Sequence, residues 1–253
     1  MEEEQNKQFL QLAEEAARMA GGLIKANFGR HLAVDVTEAH DIKIELDRRT
    51  QRLIEGHILE KHPEHAIYGE EGISGNQEGE YQWIIDPIDG TVNFFYGIPH
   101  FAISIALRRK GATQVGVIYD PMKEEMWTAC RGGKAYLNAH PVQVSTRSRL
   151  SEAVLSVGFA KTSESVESGL SLFKRMAREA KKCRMLGSAA LDMAYVACGR
   201  LDAYIESQIS LWDIAAGHLL IECAGGRVEL KPHATIADKY SIVAETGNMD
   251  LGL

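Results

Sequence analysis

The sequence predicts a mixed α+β and α/β fold in two parts, with an antiparallel sheet in the first half and alternating strands and helices in the second. Apolar residues recur at helical spacing at the start of the chain, at a period of two from residue 83, and in alternating strand-like and helix-like segments after residue 145. A chain of 253 residues can bury a core in two lobes. We place the N-terminal lobe at residues 1–145 and the C-terminal lobe at residues 146–253.

Two helices are predicted ahead of the first sheet. Residues 4–28 carry apolar side chains at three- and four-residue steps from Phe9 onward, and Gly29 follows as a stop signal. A second helical pattern follows Asp47 and ends near Pro63. Both patterns are typical of helices with one apolar face.

The sheet of the N-terminal lobe is predicted as an antiparallel meander. Residues 72–80 combine glycines with polar residues, which indicates a loop. Farther along, turns at Lys110-Gly111 and Asp120-Pro121 separate segments with strand-like patterns. The predicted strands are Phe101–Leu107, Gln114–Tyr119 and Glu125–Cys130.

The C-terminal lobe is predicted to alternate strands with helices, as α/β proteins do. The predicted strands are 153–157, 202–206, 227–230 and 241–245. The predicted helices are Val166–Ala177, 188–198 and 213–224. The pair Gly225-Gly226 closes the last of these helices.

Composition and charge narrow the classes of function. The net charge of −7 argues against non-specific nucleic-acid binding, which needs an excess of Lys and Arg. A phosphorylated substrate remains compatible, because a bound cation can reverse the local field. No apolar run approaches the roughly 18 residues of a membrane span, and the acidic N-terminus is not typical of a signal peptide. We therefore expect a cytoplasmic protein with no nucleic-acid and no membrane partner.

The segment Trp83-Ile-Ile-Asp-Pro-Ile-Asp-Gly-Thr91 is the most informative part of the chain. Its apolar strand delivers Asp86, Gly90 permits an unusual backbone angle, and Thr91 can start a helix. Such a turn holds Asp86 and Asp89 close together. The alternative interpretation of a D-x-x-D segment is an ordinary capped turn.

Converging carboxylates repel one another, so either one takes a proton or a cation fills the space between them. The turn offers the carboxylates of Asp86 and Asp89 with the carbonyl of Ile88 between them. Mg²⁺ prefers carboxylate, carbonyl and water oxygens. The residues therefore favour a magnesium site at the turn.

Three further acidic features accompany the turn. Gly69-Glu70-Glu71 and Trp212-Asp213 lie at predicted junctions, where ligands collect in α/β sheets, and Asp47 precedes the second helix. Each is weak alone, because paired acids are often a solvated edge and Asp213 could be a helix N-cap.

Together these elements resemble the inositol monophosphatase family. Trp83-Ile-Ile-Asp-Pro-Ile-Asp-Gly-Thr-Val-Asn-Phe94 is similar to its first signature, and Leu211-Trp-Asp-Ile-Ala-Ala-Gly217 with Glu222-Cys-Ala-Gly-Gly226 is similar to its second. Glu70 and Asp47 fall where the family places further acids, and the similarity extends from about residue 8 to about residue 245. The resemblance implies a layered αβαβα carbohydrate-phosphatase fold and a homodimer.

The resemblance also implies the ligands of two or three Mg²⁺ ions. Glu70, Asp86 and the Ile88 carbonyl would hold the first ion. Asp86, Asp89 and Asp213 would hold the second, and a third, weaker ion would depend on Glu70 and waters. Two such ions can stabilise both the attacking and the leaving oxygen of an in-line displacement.

The family further implies catalytic and substrate-binding residues. Asp47, Thr91 and Glu70 would be catalytic, with Thr91 hydrogen-bonded to Asp47 so that the pair orients and deprotonates water. The amides of Gly90 and Thr91 would receive the phosphate. The implied substrate-binding residues are Gly90, Thr91, Asp89, Gly187, Ser188, Ala189, Glu206 and Asp213.

Glu206 bears most on the substrate, because a carboxylate is a good acceptor for vicinal hydroxyls. The alternative is a solvent-exposed glutamate at a strand end. We expect a Mg²⁺-dependent, Li⁺-sensitive hydrolase of myo-inositol monophosphate or a similar polyol or sugar phosphate. The same chemistry on fructose-1,6-bisphosphate, 3′-phosphoadenosine 5′-phosphate or histidinol phosphate stays open. So does a regulatory role in binding transcription machinery.

Overall fold

The computed structural model describes residues 2–30, 34–38, 41–160, 162–233, 236 and 238–253. Within these residues the chain forms six α-helices and three β-sheets. The helices are α1 (Glu2–Asn27), α2 (Glu45–Lys61), α3 (Thr91–Phe95), α4 (Ser163–Glu179), α5 (Ala189–Ala197) and α6 (Leu211–Cys223), with a 3-10 helix at Leu150–Glu152. The strands are β1 (Val34–Glu38), β2 (Asp41–Ile44), β3 (Ala66–Gly69), β4 (Gly72–Gly75), β5 (Tyr81–Asp89), β6 (Ala102–Arg109), β7 (Ala112–Asp120), β8 (Glu125–Cys130), β9 (Ala135–Leu137), β10 (His140–Val142), β11 (Val154–Val157), β12 (Lys182–Arg184), β13 (Ala203–Ser210), β14 (Arg227–Pro232) and β15 (Lys239–Glu245).

The two large sheets differ in how their strands run. The first has eight strands in the order β10-β9-β8-β7-β6-β5-β3-β4, and its neighbouring pairs are antiparallel except for β3 and β5. The second has five strands in the order β12-β11-β13-β15-β14, and β11 is parallel to both β12 and β13. The antiparallel meander and the α/β second half predicted from the sequence are confirmed.

Helices and sheets stack in five layers. α1 and α2 cover one face of the eight-stranded sheet, α5 and α6 lie between the two sheets, and α4 covers the outer face of the five-stranded sheet. This is the αβαβα order that was predicted. Because α5 and α6 pack against the sheet of the first half, both halves share one core, and the division at residue 145 stays a prediction.

Small residues let α1 lie close to the eight-stranded sheet. Ala13, Ala16 and Ala20 on its inner face are fully buried. At Gly21 an added Cβ would lie only 2.5 Å from the ring of Tyr119 on β7. The apolar periodicity seen in the sequence therefore predicted the helix, while its close approach depends on residues without bulky side chains.

Two local predictions need correction. α2 begins at Glu45, so Asp47 lies in the first turn of this helix and not ahead of it. The loop predicted at 72–80 was wrong for Gly72–Gly75, which form β4 and pair antiparallel with β3. The pairing uses backbone groups, and a glycine-rich segment shows no alternation of side chains that would predict it.

Candidate active site

A bulge at the end of β5 brings Asp86 and Asp89 to the same side of the sheet. In a regular strand, residues three apart point to opposite faces. The pairing of β5 with β6 shifts register between Asp86 and Asp89, and this shift lets both side chains point to the same face. The backbone amide of Ile88 donates to Asp86 Oδ1 at 3.0 Å, and this bond stabilises the bend. Gly90 follows with φ of 96°, a left-handed conformation, and α3 then begins.

Asp213 approaches the same point from the other half of the chain. It lies in the first turn of α6, and its Oδ2 accepts a hydrogen bond from the amide of Ser210 at 2.9 Å. Carboxylate oxygens of Asp86, Asp89 and Asp213 all lie within 4.8 Å of one another. Ser210 is the N-cap of α6, and Asp213 at the third helical position completes a capping box, so the alternative that Asp213 is itself the N-cap was wrong.

The protonation equilibria reflect this crowding. Burial, followed by the charges of Glu70, Asp89 and Asp213, raises the pKa of Asp86 well above its ordinary value. Burial raises the pKa of Asp89 to about 6, although the Ser188 hydroxyl and backbone amides oppose the shift. Burial and the charge of Asp89 raise the pKa of Asp213 to about 7. A divalent cation would relieve the repulsion between these buried carboxylates. Their oxygen atoms are also the kind of ligand that such a cation prefers.

Glu70 is presented by the tight turn between β3 and β4. Its amide donates to the Ile85 carbonyl at 3.1 Å, which ties the turn to β5. The buried side chain of Gln51 accepts from the Glu71 amide at 2.9 Å and donates to the Gly72 carbonyl at 3.1 Å. Gln51 is a residue that the sequence analysis missed, because nothing in α2 distinguishes it from a surface glutamine.

The predicted hydrogen bond between Thr91 and Asp47 needs correction. The Thr91 hydroxyl donates to the Ile88 carbonyl at 2.9 Å. A hydroxyl has one proton, so Thr91 cannot donate to Asp47 at the same time. The cause is local, because a threonine at the start of a helix readily reaches the carbonyl three residues before it. Asp47 itself is buried, with 2% of its surface exposed.

Glu206 on β13 is held from behind by a buried tyrosine. The hydroxyl of Tyr204 donates to Glu206 Oε2 at 2.5 Å. Burial raises the pKa of Glu206 to about 7. The carboxylate also lies against Gly158, where an added Cβ would be 1.8 Å from Oε2. Glu206 is therefore positioned by its surroundings and is not the solvent-exposed strand-end residue of the alternative interpretation.

The segment Gly187-Ser188-Ala189, which the resemblance implies as substrate-binding, joins the acidic cluster to α5. Ser188 is the N-cap of α5, and its hydroxyl also donates to Asp89 Oδ2. The amide of Ala190 donates to the same oxygen at 2.9 Å. The side-chain amide of Asn93, which the sequence analysis did not identify, donates to the carbonyl of Leu186 at 2.9 Å. These bonds connect the two halves across the site.

A single cavity of about 820 Å³ collects these elements. All of the predicted site residues line it except Asp47. The lining residues from that prediction are Glu70, Asp86, Ile88, Asp89, Gly90, Thr91, Gly187, Ser188, Ala189, Glu206 and Asp213. Asp192 also lines the cavity and was missed, although it is the one acid in the otherwise uncharged helix Ala189–Ala197.

A second group of potential metal ligands does not suit a cation. His62, Glu64 and His65 lie close together, and His65 Nε2 is 3.3 Å from Glu64. Trp83 Nε1 donates to His65 Nδ1 at 3.0 Å, so neutral His65 must carry its proton on Nε2. Burial lowers the pKa of His65 to about 4. The ring is therefore a neutral hydrogen-bonding element of the core.

Known proteins are similar to this chain in both fold and sequence. The model of the inositol monophosphatase family matches residues 5–249. "Nus factor SuhB" of Pseudomonas aeruginosa is 43% identical over 227 residues, covering 87% of this chain and 84% of that protein. "Nus factor SuhB" of Escherichia coli is 42% identical over 225 residues, with the same coverage.

Solved structures agree with this assignment. The extragenic suppressor protein suhB of Bartonella henselae is 33% identical, covers 94% of each chain and gives a TM-score of 0.87. An inositol monophosphatase from Anabaena is 36% identical, covers 96% of this chain and 92% of the other, and gives a TM-score of 0.83. With its layered sheets, its acidic cluster and a family match over nearly its whole length, this chain belongs to the inositol monophosphatase family.

Proposed function

We propose that the protein is a Mg²⁺-dependent phosphomonoesterase that hydrolyses myo-inositol monophosphate or a similar polyol or sugar phosphate. One observation carries the proposal. Asp86, Asp89 and Asp213 lie close together in the lining of a cavity that also includes Glu206. A site for cations and a site for hydroxyl groups therefore share one space of a size suited to a small ester.

The metal-binding roles follow from the donor set. Glu70, Asp86 and the Ile88 carbonyl would hold one ion, and Asp86, Asp89 and Asp213 a second. A third ion would depend on Glu70. When bound, Mg²⁺ supplies Lewis-acid activation of water and stabilises charge on the leaving oxygen.

The remaining roles belong to the residues around the phosphate. The amides of Gly90 and Thr91 would receive phosphate oxygens. Because the Thr91 hydroxyl donates to Ile88, its oxygen remains as an acceptor that orients the attacking water. Asp47 and Glu70 remain the candidates for proton transfer.

The substrate is the finer part of the proposal. Glu206, Gly187, Ser188 and Ala189 would contact the polyol. Fructose-1,6-bisphosphate, 3′-phosphoadenosine 5′-phosphate and histidinol phosphate are the competing substrates, and ratios of kcat/KM decide between them. The test is a phosphate-release screen over sugar, polyol and nucleotide esters, with and without Mg²⁺ and Li⁺. Full activity without Mg²⁺ would overturn the mechanism, and preference for a nucleotide or bisphosphate would replace the substrate.

The relatives named Nus factor SuhB favour a second candidate function, a regulatory binding role with transcription machinery. The two functions are separable by experiment. We would measure whether the purified protein forms a stoichiometric complex with RNA polymerase, and whether Asp86→Asn, which removes the charge of a proposed metal ligand, forms it equally well. A complex that is indifferent to Asp86→Asn supports an independent binding role. Failure of both proteins to form a complex argues against it.

Several expectations from the sequence stay predictions. No helix in the described part of the chain is long and apolar enough to cross a membrane. The cytoplasmic location, the homodimer, the Li⁺ sensitivity and the absence of a membrane partner await experiment. The expected absence of a nucleic-acid partner deserves a direct binding measurement, given the name of those relatives.

A further inference from the structure

The cavity is lined by a further buried carboxyl group besides Glu206 and the acidic cluster. Asp192 lies in the first turn of α5 and lines the cavity, and only 2% of its surface is exposed. Its Oδ2 accepts a hydrogen bond from the Ser156 hydroxyl at 2.7 Å. Its Oδ1 is buried, and within the described residues it has no hydrogen-bond partner.

A purely structural role does not account for Asp192. Ser188 already caps α5, and the rest of the helix is uncharged. A buried polar atom without a partner is destabilising, so an apolar residue would serve the packing better. The burial of Asp192, followed by the nearby charges of Asp89 and Glu206 among other effects, raises its pKa well above the ordinary value. A buried carboxyl group that lines the cavity and lacks a hydrogen bond indicates a ligand that supplies this bond when it binds.

Asp192 and Glu206 are supported in matching ways. Ser156 donates to Asp192, and Tyr204 donates to Glu206. Ser156 on β11 and Tyr204 on β13 are direct partners in the parallel pairing of these two strands. Paired residues of parallel strands point to the same face, so both hydroxyls lie on the same side of the five-stranded sheet. Each carboxyl group therefore has one oxygen engaged by a hydroxyl from the sheet.

We propose that Asp192 is a specificity-determining residue, whose carboxyl group binds a hydroxyl group of the substrate. Together with Glu206 it forms a two-carboxyl subsite that selects esters whose leaving group carries at least two hydroxyls. This inference rests on the proposed phosphatase function. It narrows the substrate class to polyhydroxylated monoesters, because a hydroxyl can satisfy a buried carboxyl group in either protonation state.

The test compares two esters in the full-length protein with Mg²⁺. One is myo-inositol 1-phosphate, and the other is 4-nitrophenyl phosphate, whose leaving group has no hydroxyl besides the ester oxygen. For Asp192→Leu, which is close in shape, the ratio of kcat/KM for the inositol ester to kcat/KM for the nitrophenyl ester should fall by about tenfold or more. An equal loss on both esters, or no change in the ratio, would overturn the proposal.

A second measurement does not depend on the folding of Asp192→Leu. Inositol phosphates that each lack one ring hydroxyl are compared in wild type and in Glu206→Gln. The effect of the hydroxyl that Glu206 binds is lost in Glu206→Gln. A second hydroxyl should still contribute about tenfold to kcat/KM in both proteins but not in Asp192→Ala, which separates Asp192 from Gly187, Ser188 and Ala189. If only one hydroxyl matters, Asp192 reads none and the inference fails. If wild type hydrolyses neither ester, the proposed function itself fails.

Discussion

Asp89 Oδ2 accepts a hydrogen bond from the backbone amide of Ala190 at 2.9 Å, and thereby joins β5 of the first sheet to the start of α5. The Ser188 hydroxyl donates to the same oxygen. A residue of the acidic cluster therefore also satisfies the amino-terminal end of a helix that lies between the two sheets. The proposed metal site and the contact between the two halves of the chain share one side chain.

This double role predicts a difference between two substitutions at Asp89. Asn keeps an oxygen that can accept from Ala190, whereas Ala does not. In chelator, Asp89→Ala should be less stable than Asp89→Asn by about 1–2 kcal/mol, the usual cost of losing such a cap. Denaturant unfolding with both variants measures the difference. Equal stability would show that the bond to Ala190 contributes nothing to the docking of α5.

Asp86→Asn should abolish phosphatase activity without weakening the metal-free fold. The substitution removes a charge from a cluster in which burial and three neighbouring carboxylates already raise the pKa of Asp86. The melting temperature in chelator should equal or exceed that of wild type, and the increase produced by Mg²⁺ should disappear. Thermal unfolding with and without Mg²⁺ measures both. Marked unfolding of Asp86→Asn in chelator would mean that the turn is structural.

The acidic cluster should make metal-free stability depend on pH. Burial, with Asp89, raises the pKa of Asp213 from 3.8 to about 7 in the folded protein. As pH rises, Asp213 therefore loses its proton in the unfolded state before it does so in the folded state. The contribution of this group to the stability of the fold is complete below about pH 4 and is lost as pH rises to about 7. Relative to wild type, Asp213→Asn in chelator should gain stability over that range. A stability difference that is independent of pH would contradict the shift.

Gln51 should control metal affinity through the turn that carries Glu70. Its amide contacts Glu71 and Gly72, and an added Cβ at Gly69 would lie 2.3 Å from its Oε1. Gln51→Leu removes these bonds. The Mg²⁺ concentration that gives half-maximal activity should therefore rise, and its fold-increase should be several times larger than the fold-decrease of kcat at saturating Mg²⁺.

A matched control separates this effect from general damage to α2. Gln51 also donates to Glu55 at 2.7 Å, and Glu55→Ala removes that bond while leaving the turn intact. Isothermal titration of Mg²⁺ gives the affinities of both variants directly. If Glu55→Ala weakens Mg²⁺ binding as much as Gln51→Leu does, the turn is not positioned by Gln51.

Gly158→Ala should disturb substrate selection and not the chemistry. The new methyl group would overlap Glu206 Oε2 and push the carboxylate from its place. Selectivity for the inositol ester over 4-nitrophenyl phosphate should fall by about tenfold. Gly56→Ala is the control, because no atom beyond its chain neighbours and the nearby backbone of its own helix lies within 4 Å of its added Cβ, and a helical alanine should stabilise α2. Unchanged selectivity in Gly158→Ala would mean that Glu206 does not determine which substrate is preferred.

Much of the framework could be predicted because its signals are local. The period of two in β6 and the helical period in α1 follow from one buried face each, and a Gly after two converging aspartates marks the turn at Asp86. The resemblance to a known family then connected Glu70 and Asp213 with this turn and added Glu206, which no pattern of spacing does. The structure brings all of these to one cavity.

Other features could not be predicted, because they depend on contacts between residues far apart in the chain. The Thr91 hydroxyl was expected to reach Asp47 and instead bonds Ile88, since a bond within one turn competes with a distant one. The pairing of Ser156 with Tyr204, which supports Asp192 and Glu206, exists only once β11 and β13 lie side by side. Periodicity and short motifs report which face a residue is buried on, whereas strand pairing and helix packing decide which buried polar groups meet.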